Sequence, residues 1–202
     1  MTSAESIGRR DLVVVGASAG GVQALMRFVG RLPGEFDGSI FIVLHVAPSR
    51  SVLPGVLERT CALPVAHAVE GEPIRPGRIY VAPPDRHLLL EPDRVRVLDG
   101  PREHRHRPGI DPLFRSAAEA YTERVVGVLL SGMLEDGTRG LEEIKRAGGL
   151  ALVQDPEDAL YRSMPESAIS RHAADRIASA EELADFVVEL AARKRPAAAG
   201  SA

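Results

Sequence analysis

Five short runs rich in Val, Ile and Leu recur along the chain without apolar–polar alternation, at residues 12–15, 40–44, 79–81, 125–130 and 150–153. A strand with one wet face alternates, so near-continuous apolar runs mark strands covered on both faces, as in a parallel sheet. The segments between them carry helical spacing. They predict helices over 20–30, 111–121, 137–146, 165–172 and 181–193, the third ending in the stop signal Ala147-Gly148-Gly149. Strands alternating with helices define an α/β class: a doubly wound, mostly parallel sheet with helices on both faces. One stretch departs from it. In "RIYVAPPDRHLLLEPDRVRVLDG" two runs flank a Pro-Asp turn, which predicts an antiparallel β-hairpin excursion.

A core of this kind uses nearly all of the 202 residues: a short N-terminal extension over 1–10, one domain over 11–193 and a disordered tail over 194–202 are expected. The net charge of -3 speaks against nucleic acid or an anionic membrane as the main partner. No apolar run has the length of a bilayer span or a secretion signal, so no membrane insertion and a cytoplasmic location are expected. Cys61 is the only cysteine, which excludes an intrachain disulfide and a cysteine-built zinc site and suits a reducing compartment.

Three polar residues stand at the exits of three of these strands. Ser18 lies in Gly16-Ala17-Ser18-Ala19-Gly20, a G-x-S-x-G pattern between a strand and a helix, where small neighbours allow a tight bend and leave the hydroxyl exposed. A phosphate-binding turn has the same strand–glycine–helix order, but glycines at 16, 20 and 21 fit neither dinucleotide nor P-loop spacing. His45 follows "IFIVL" and precedes a proline, at the edge where ligands of open parallel sheets bind; a histidine packed under a loop is the alternative. Asp136 follows "VVGVLLSGMLE", and it could equally cap the helix that begins near Gly137. Together the three supply a proton relay. His45, with an unperturbed imidazole pKa near ~6.5, takes the Ser18 proton, while Asp136 holds the tautomer and offsets the imidazolium charge. Backbone amides near Ala19 and Met133 are candidates to receive the oxyanion, and such a relay calls for neither cofactor nor metal. The chain order Ser, His, Asp differs from the Ser, acid, His order of the α/β-hydrolases.

"VVVGASAGGVQAL", "VLHVAP", "GEPIRPGRIYVAPPDRHLLL", "HRPGIDPLFRSAA", "LLSGMLEDGTRGL" and "GGLALVQDPEDALYRSMPESAI" together resemble the catalytic domain of the CheB-type chemotaxis protein-glutamate methylesterases, over about residues 12–190. The resemblance implies a serine hydrolase that demethylates glutamyl methyl esters on the cytoplasmic helices of methylated chemoreceptors, and it leaves glutamine deamidation open as a second activity. It places the nucleophile on Ser18, the base on His45, the orienting acid on Asp136 and an oxyanion-lining residue on Met133. The sequence departs from the family pattern at Ala19, where threonine is usual, and at Leu134 and Glu135, where Gly-Asn is common. It also departs at Gly109, Arg162 and Ser163. These changes leave the triad intact and alter its rim, which keeps open a non-catalytic adaptor that retains the fold. Many relatives carry a receiver domain ahead of the first strand, which here begins close to Met1; regulation is therefore expected in trans, from a separate response regulator, or through expression.

The basic stretch Arg102 to Arg107, "REHRHR", is either a solvated loop or a flank of the groove that meets receptor carboxylates; its three arginines argue against a metal on His104 and His106. His67 and His87 are expected to be structural. In the last helix, Leu183, Phe186, Val187 and Leu190 form a stripe that docks on the core.

Overall fold

The computed structural model describes residues 9–45 and 51–192, so residues 1–8 of the expected extension and the expected tail lie outside the described residues. β1 (Leu12–Ala17) is the middle strand of a seven-stranded sheet. On one side follow β2 (Ser39–Leu44), β4 (Arg78–Val81) and β3 (Val65–His67); on the other, β7 (Val125–Leu129), β8 (Leu150–Gln154) and β9 (Arg176–Ala178). Every pairing in this sheet is parallel. The predicted hairpin is a separate antiparallel ribbon of β5 (His87–Glu91) and β6 (Arg94–Leu98).

The unbroken apolar runs have a direct physical reading in β1. Val13 and Val15 point to one face, where they pack with Leu25 and Phe28 of α1 (Gly21–Val29) and with Leu183 and Val187 of α6 (Ala180–Ala192). Leu12 and Val14 point to the other. There they meet Phe114 of α3 (Ile110–Tyr121), Leu141 of α4 (Thr138–Arg146), Met164 of α5 (Ser163–Ser170) and Leu88 of the ribbon. Each such side chain contributes about 1.5–3 kcal/mol on full burial, and both faces demand it, so no polar residue interrupts the strand. The α6 stripe docks as expected: Leu183, Val187 and Leu190 are fully buried, and Phe186 packs at their edge beneath Arg176.

Four short elements were not expected from the sequence: β3, β9, α2 (Leu53–Leu57) and a single 3-10 turn at Thr122–Arg124. The two strands are three-residue sheet edges, and Arg176 and Ile177 of β9 are exposed, so neither needs a long apolar run. Helix α5 starts two residues before the expected Pro165, which sits in its first turn, where a missing N–H breaks no helical bond.

The glycines of the G-x-S-x-G stretch serve different ends. A side chain on Gly16 would place its Cβ 2.3 Å from Ile110 Cγ2, so the start of α3 rests directly on the β1 backbone. Gly20 has φ +70, and a Cβ there would also lie 2.8 Å from Ser131 Oγ. Gly16→Ala must push the first turn of α3 off the sheet. The expected loss is about 1–3 kcal/mol, read as a lowered midpoint in thermal or urea unfolding; an unchanged midpoint contradicts this contact.

Candidate active site

Strands β2, β1 and β7 are neighbours, and their carboxyl ends are level because Ala17 pairs with Leu44 and Gly16 with Leu129. The chain leaving each strand is still tied to the next one. His45 N–H donates to the Ala17 carbonyl at 3.1 Å, Ser18 N–H to the Ser131 carbonyl at 2.9 Å, and Leu130 N–H to the Gly16 carbonyl at 2.9 Å. These ties bring Ser18, His45 and Asp136 together at one edge, as the strand exits suggested. His45 Nδ1 lies 3.1 Å from Ser18 Oγ, and His45 Nε2 lies 2.8 Å from Asp136 Oδ2. A carboxylate only accepts, so Nε2 carries the proton and the Nδ1 lone pair faces the hydroxyl. The side chains of His45 and Asp136 are 4% and 2% exposed, and Ser18 is half-buried.

Asp136 does cap a helix, but not the one that follows it. Its Oδ2 accepts the Ile110 N–H at 2.9 Å and its Oδ1 the Asp111 N–H at 3.0 Å, the first two amides of α3. The helix after Asp136 is capped from α3 in return: Asp111 Oδ1 accepts the Gly137 N–H at 3.1 Å and the Gly140 N–H at 2.7 Å. The first turn of α3 thus lends a carboxylate to the start of α4, and the loop leading into α4 lends one to the start of α3. Burial presses the Asp136 carboxyl upward, yet the hydrogen bonds from His45, Ile110 and Asp111 outweigh it and hold the group below its ordinary value. Asp111 goes the other way, raised by burial and by the neighbouring Asp136 charge.

In the turns that follow β1 and β7, the N–H groups of Ala19 and Met133 meet no protein acceptor among the described residues. Their frame is rigid. Ser131, fully buried, donates its hydroxyl to the Ala19 carbonyl at 2.8 Å and accepts the Tyr161 N–H at 3.0 Å, while its own N–H is held by Gln154 Oε1 at 2.8 Å. A side chain at Gly132 would collide with Met164 Cε at 2.3 Å and touch Ser18 Cβ at 3.0 Å. Ser131 and Gly132 were missed in the sequence, where "SG" after a strand is an ordinary turn; their place at the same strand exit as Asp136 was the available signal.

A cleft of about 380 Å³ opens beside His45 and Asp136, lined also by His106, Met133, Leu134 and Glu135 among others. Met133 and Leu134 are exposed, and Leu134 has φ +69, a left-handed conformation that favours glycine. Its N–H donates to Ser163 Oγ at 3.3 Å, so two of the departures from the family pattern support each other.

The "REHRHR" stretch flanks this cleft and is not a free basic patch. Arg102 and Arg107 both bind Asp85, at 2.8 and 2.9 Å, and Glu103 binds Arg115 at 2.7 Å. His104, Asp111 and Asp136 each bring one ligand atom within 4.8 Å of the others, so acidic groups distant in sequence do approach this histidine. Yet His104 Nε2 bonds Asp111 at 3.1 Å, and every oxygen of both carboxylates already accepts a hydrogen bond. His87 is structural in a specific way. It is buried, donates from Nε2 to the Pro101 carbonyl at 2.9 Å and accepts the Gly109 N–H at 3.2 Å, tying the ribbon to the loop before α3. His67 contacts the Ser51 carbonyl at 3.3 Å.

An alcohol, an imidazole and a carboxylate lined up at the carboxyl edge of a parallel sheet form the arrangement that Ser-His-Asp hydrolases use, and this chain has that geometry on an open α/β frame. Over residues 13–187 it matches the profile described as CheB methylesterase, and it belongs to that family. A Leptospira interrogans protein that bears the name protein-glutamate methylesterase/protein-glutamine glutaminase only provisionally is 41% identical over 182 residues, covering 89% of this chain and 94% of its own. Protein-glutamate methylesterase/protein-glutamine glutaminase 5 of Anaeromyxobacter dehalogenans is 41% identical over 170 residues, covering 82% of this chain and 47% of its own. The chain therefore spans nearly all of the first relative and about half of the second. The crystal structure of the Thermotoga maritima CheB methylesterase catalytic domain superposes with a TM-score of 0.85 at 32% identity, covering 91% of this chain and 98% of that one.

The exchanged caps generate a prediction. Asp111→Ala leaves the buried Gly137 and Gly140 N–H groups without an acceptor and costs about 2–4 kcal/mol, whereas Asp111→Asn keeps an oxygen there and costs less than about 1 kcal/mol. Asp111 has a raised native pKa, so the stability it withholds at neutral pH returns as pH falls through that value. The cost of Asn relative to Asp is therefore smallest at neutral pH and grows in acid. Urea unfolding of the three proteins across pH measures it; equal stability of Ala and Asn is the contrary result.

Proposed function

We propose that the protein is a protein-glutamate methylesterase that acts on methylated chemoreceptors, converting a glutamyl methyl ester on a cytoplasmic helix to glutamate and methanol. The reading is carried by the line from Ser18 Oγ through His45 to Asp136, at 3.1 and 2.8 Å, in a chain that matches the family over residues 13–187. Ser18 Oγ attacks the ester carbonyl while its proton passes to His45 Nδ1. The oxyanion settles on the Ala19 and Met133 amides, donors of a kind worth roughly 10²–10³ in rate each. The His45 imidazolium returns its proton to the departing methoxide, leaving an acyl-enzyme and methanol. Water, deprotonated by His45, then attacks the acyl carbon; the bond from the acyl carbon to Ser18 Oγ breaks, His45 returns its proton to that oxygen, and the free carboxylate leaves. Asp136 stays ionised throughout, since its hydrogen bonds hold its pKa low.

A glutamine side chain presents the same carbonyl with ammonia as leaving group, and the relatives carry both activities in their names, so deamidation belongs to the same proposal. The reaction is placed in the cytoplasm, with control by a separate response regulator in trans. Among the described residues no helix is long and apolar enough to cross a membrane. Ser18→Ala should lower methanol release from methylated receptor by roughly 10³-fold or more without unfolding the protein. Methanol release at the parent rate overturns the proposal; receptor binding with no turnover by either protein favours the adaptor.

A further inference from the structure

His106 does something the relay does not account for. Its ring lies flat on the ring of His45, with centroids 3.7 Å apart and planes 6° from parallel. Both nitrogens of His45 are engaged in the plane of the ring, by Ser18 and Asp136, so only its faces remain open, and His106 covers one of them. Neither ring nitrogen of His106 has a hydrogen-bond partner among the described residues, which leaves the ring face as its contact with the protein's chemistry.

The backbone beneath this ring is fixed. Glu103 and His106 exchange both backbone hydrogen bonds, at 3.0 and 2.7 Å, around a tight turn in which His104 and Arg105 have φ 47 and 69. The turn is fastened on three sides, by Glu103 to Arg115, by His104 to Asp111 and by Arg102 to Asp85. Asp111 in turn caps α4, so the turn that presents His106 and the loop that presents Asp136 share an anchor.

We propose that His106 is a positioning residue for the esterase reaction: a neutral aromatic plate that keeps the His45 ring in the plane of the relay and faces the imidazolium formed during turnover. The inference rests on the esterase reading. A neutral ring presents a negative face to that cation and stabilises it, whereas a protonated His106 repels it. The groups around His106 favour its neutral form. Burial pushes its pKa down, and the adjoining His45, His104 and Arg102 push it further, against the opposing pull of Asp136. Arg105 and Glu135 line the same cleft. Protonating His106 places a positive charge against the ring that must accept the Ser18 proton, so acid suppresses the reaction through His106 as well.

The test uses the whole chain, hydrolysis of 4-nitrophenyl acetate across pH, and Ser18→Ala as the blank. His106→Ala should lower kcat about tenfold with KM within about twofold, while His106→Phe, which keeps a flat ring, should stay within about threefold of the parent kcat. The acid limb of kcat/KM should steepen toward two protons in the parent and remain a one-proton limb in His106→Phe. By NMR, the His106 ring should titrate at lower pH in the parent than in His45→Gln, a comparison that needs no turnover. His106→Phe as slow as His106→Ala, equally steep acid limbs, or an unmoved His106 titration overturns the plate. Aryl-acetate turnover retained by Ser18→Ala overturns the esterase reading instead, and the titration then decides the plate alone.

Discussion

The exchange of carboxylates between the starts of α3 and α4 is the constraint on which the site hangs. Asp136 and Asp111 lie side by side, 2% and 0% exposed, where an uncompensated charge would be costly. Four backbone N–H groups, His45 and His104 supply the compensation. Donors are shared unequally in effect: Asp136 is held below its ordinary pKa while Asp111 is pushed above it, which favours the charged form of the one that faces His45. The same arrangement sets where α3 begins, which fixes Ile110 against Gly16 and links the packing of the sheet to the aim of the relay.

Sequence reveals those parts of this protein in which one local rule dominates. The five inner strands are legible because burial on both faces forbids polar residues, and their exits are legible with them; that is how Ser18, His45 and Asp136 come into view. The edge strands β3 and β9 are not, since three residues beside solvent need no apolar run. Asp136 shows the limit well. An acidic residue before a helix points to capping, but the amides it binds belong to Ile110 and Asp111, far back along the chain. The ring of His106 is hidden for the same reason: its partner is His45, brought near only by the pinned turn.

The rim is where this chain parts from its family's pattern, and the changes are not independent. Leu134 adopts a left-handed backbone that a glycine would take without strain, and Ser163 accepts its N–H. Arg162, beside it, is occupied with Glu157 and Glu166 on the surface, at 2.6 and 2.7 Å. Ala19 lacks the hydroxyl of the usual threonine, yet its carbonyl is held by Ser131, so the amide beside Ser18 keeps its direction without that group.

Because Asp136 fastens a helix as well as an imidazole, removing it disturbs two things at once, and an inactive protein made that way reveals little about either. Ser18 is different: its hydroxyl contacts only His45 within the described residues. An inert decoy for capturing whatever docks on this cleft is therefore best made by deleting that single oxygen, which leaves the scaffold and its grip on the partner as they were.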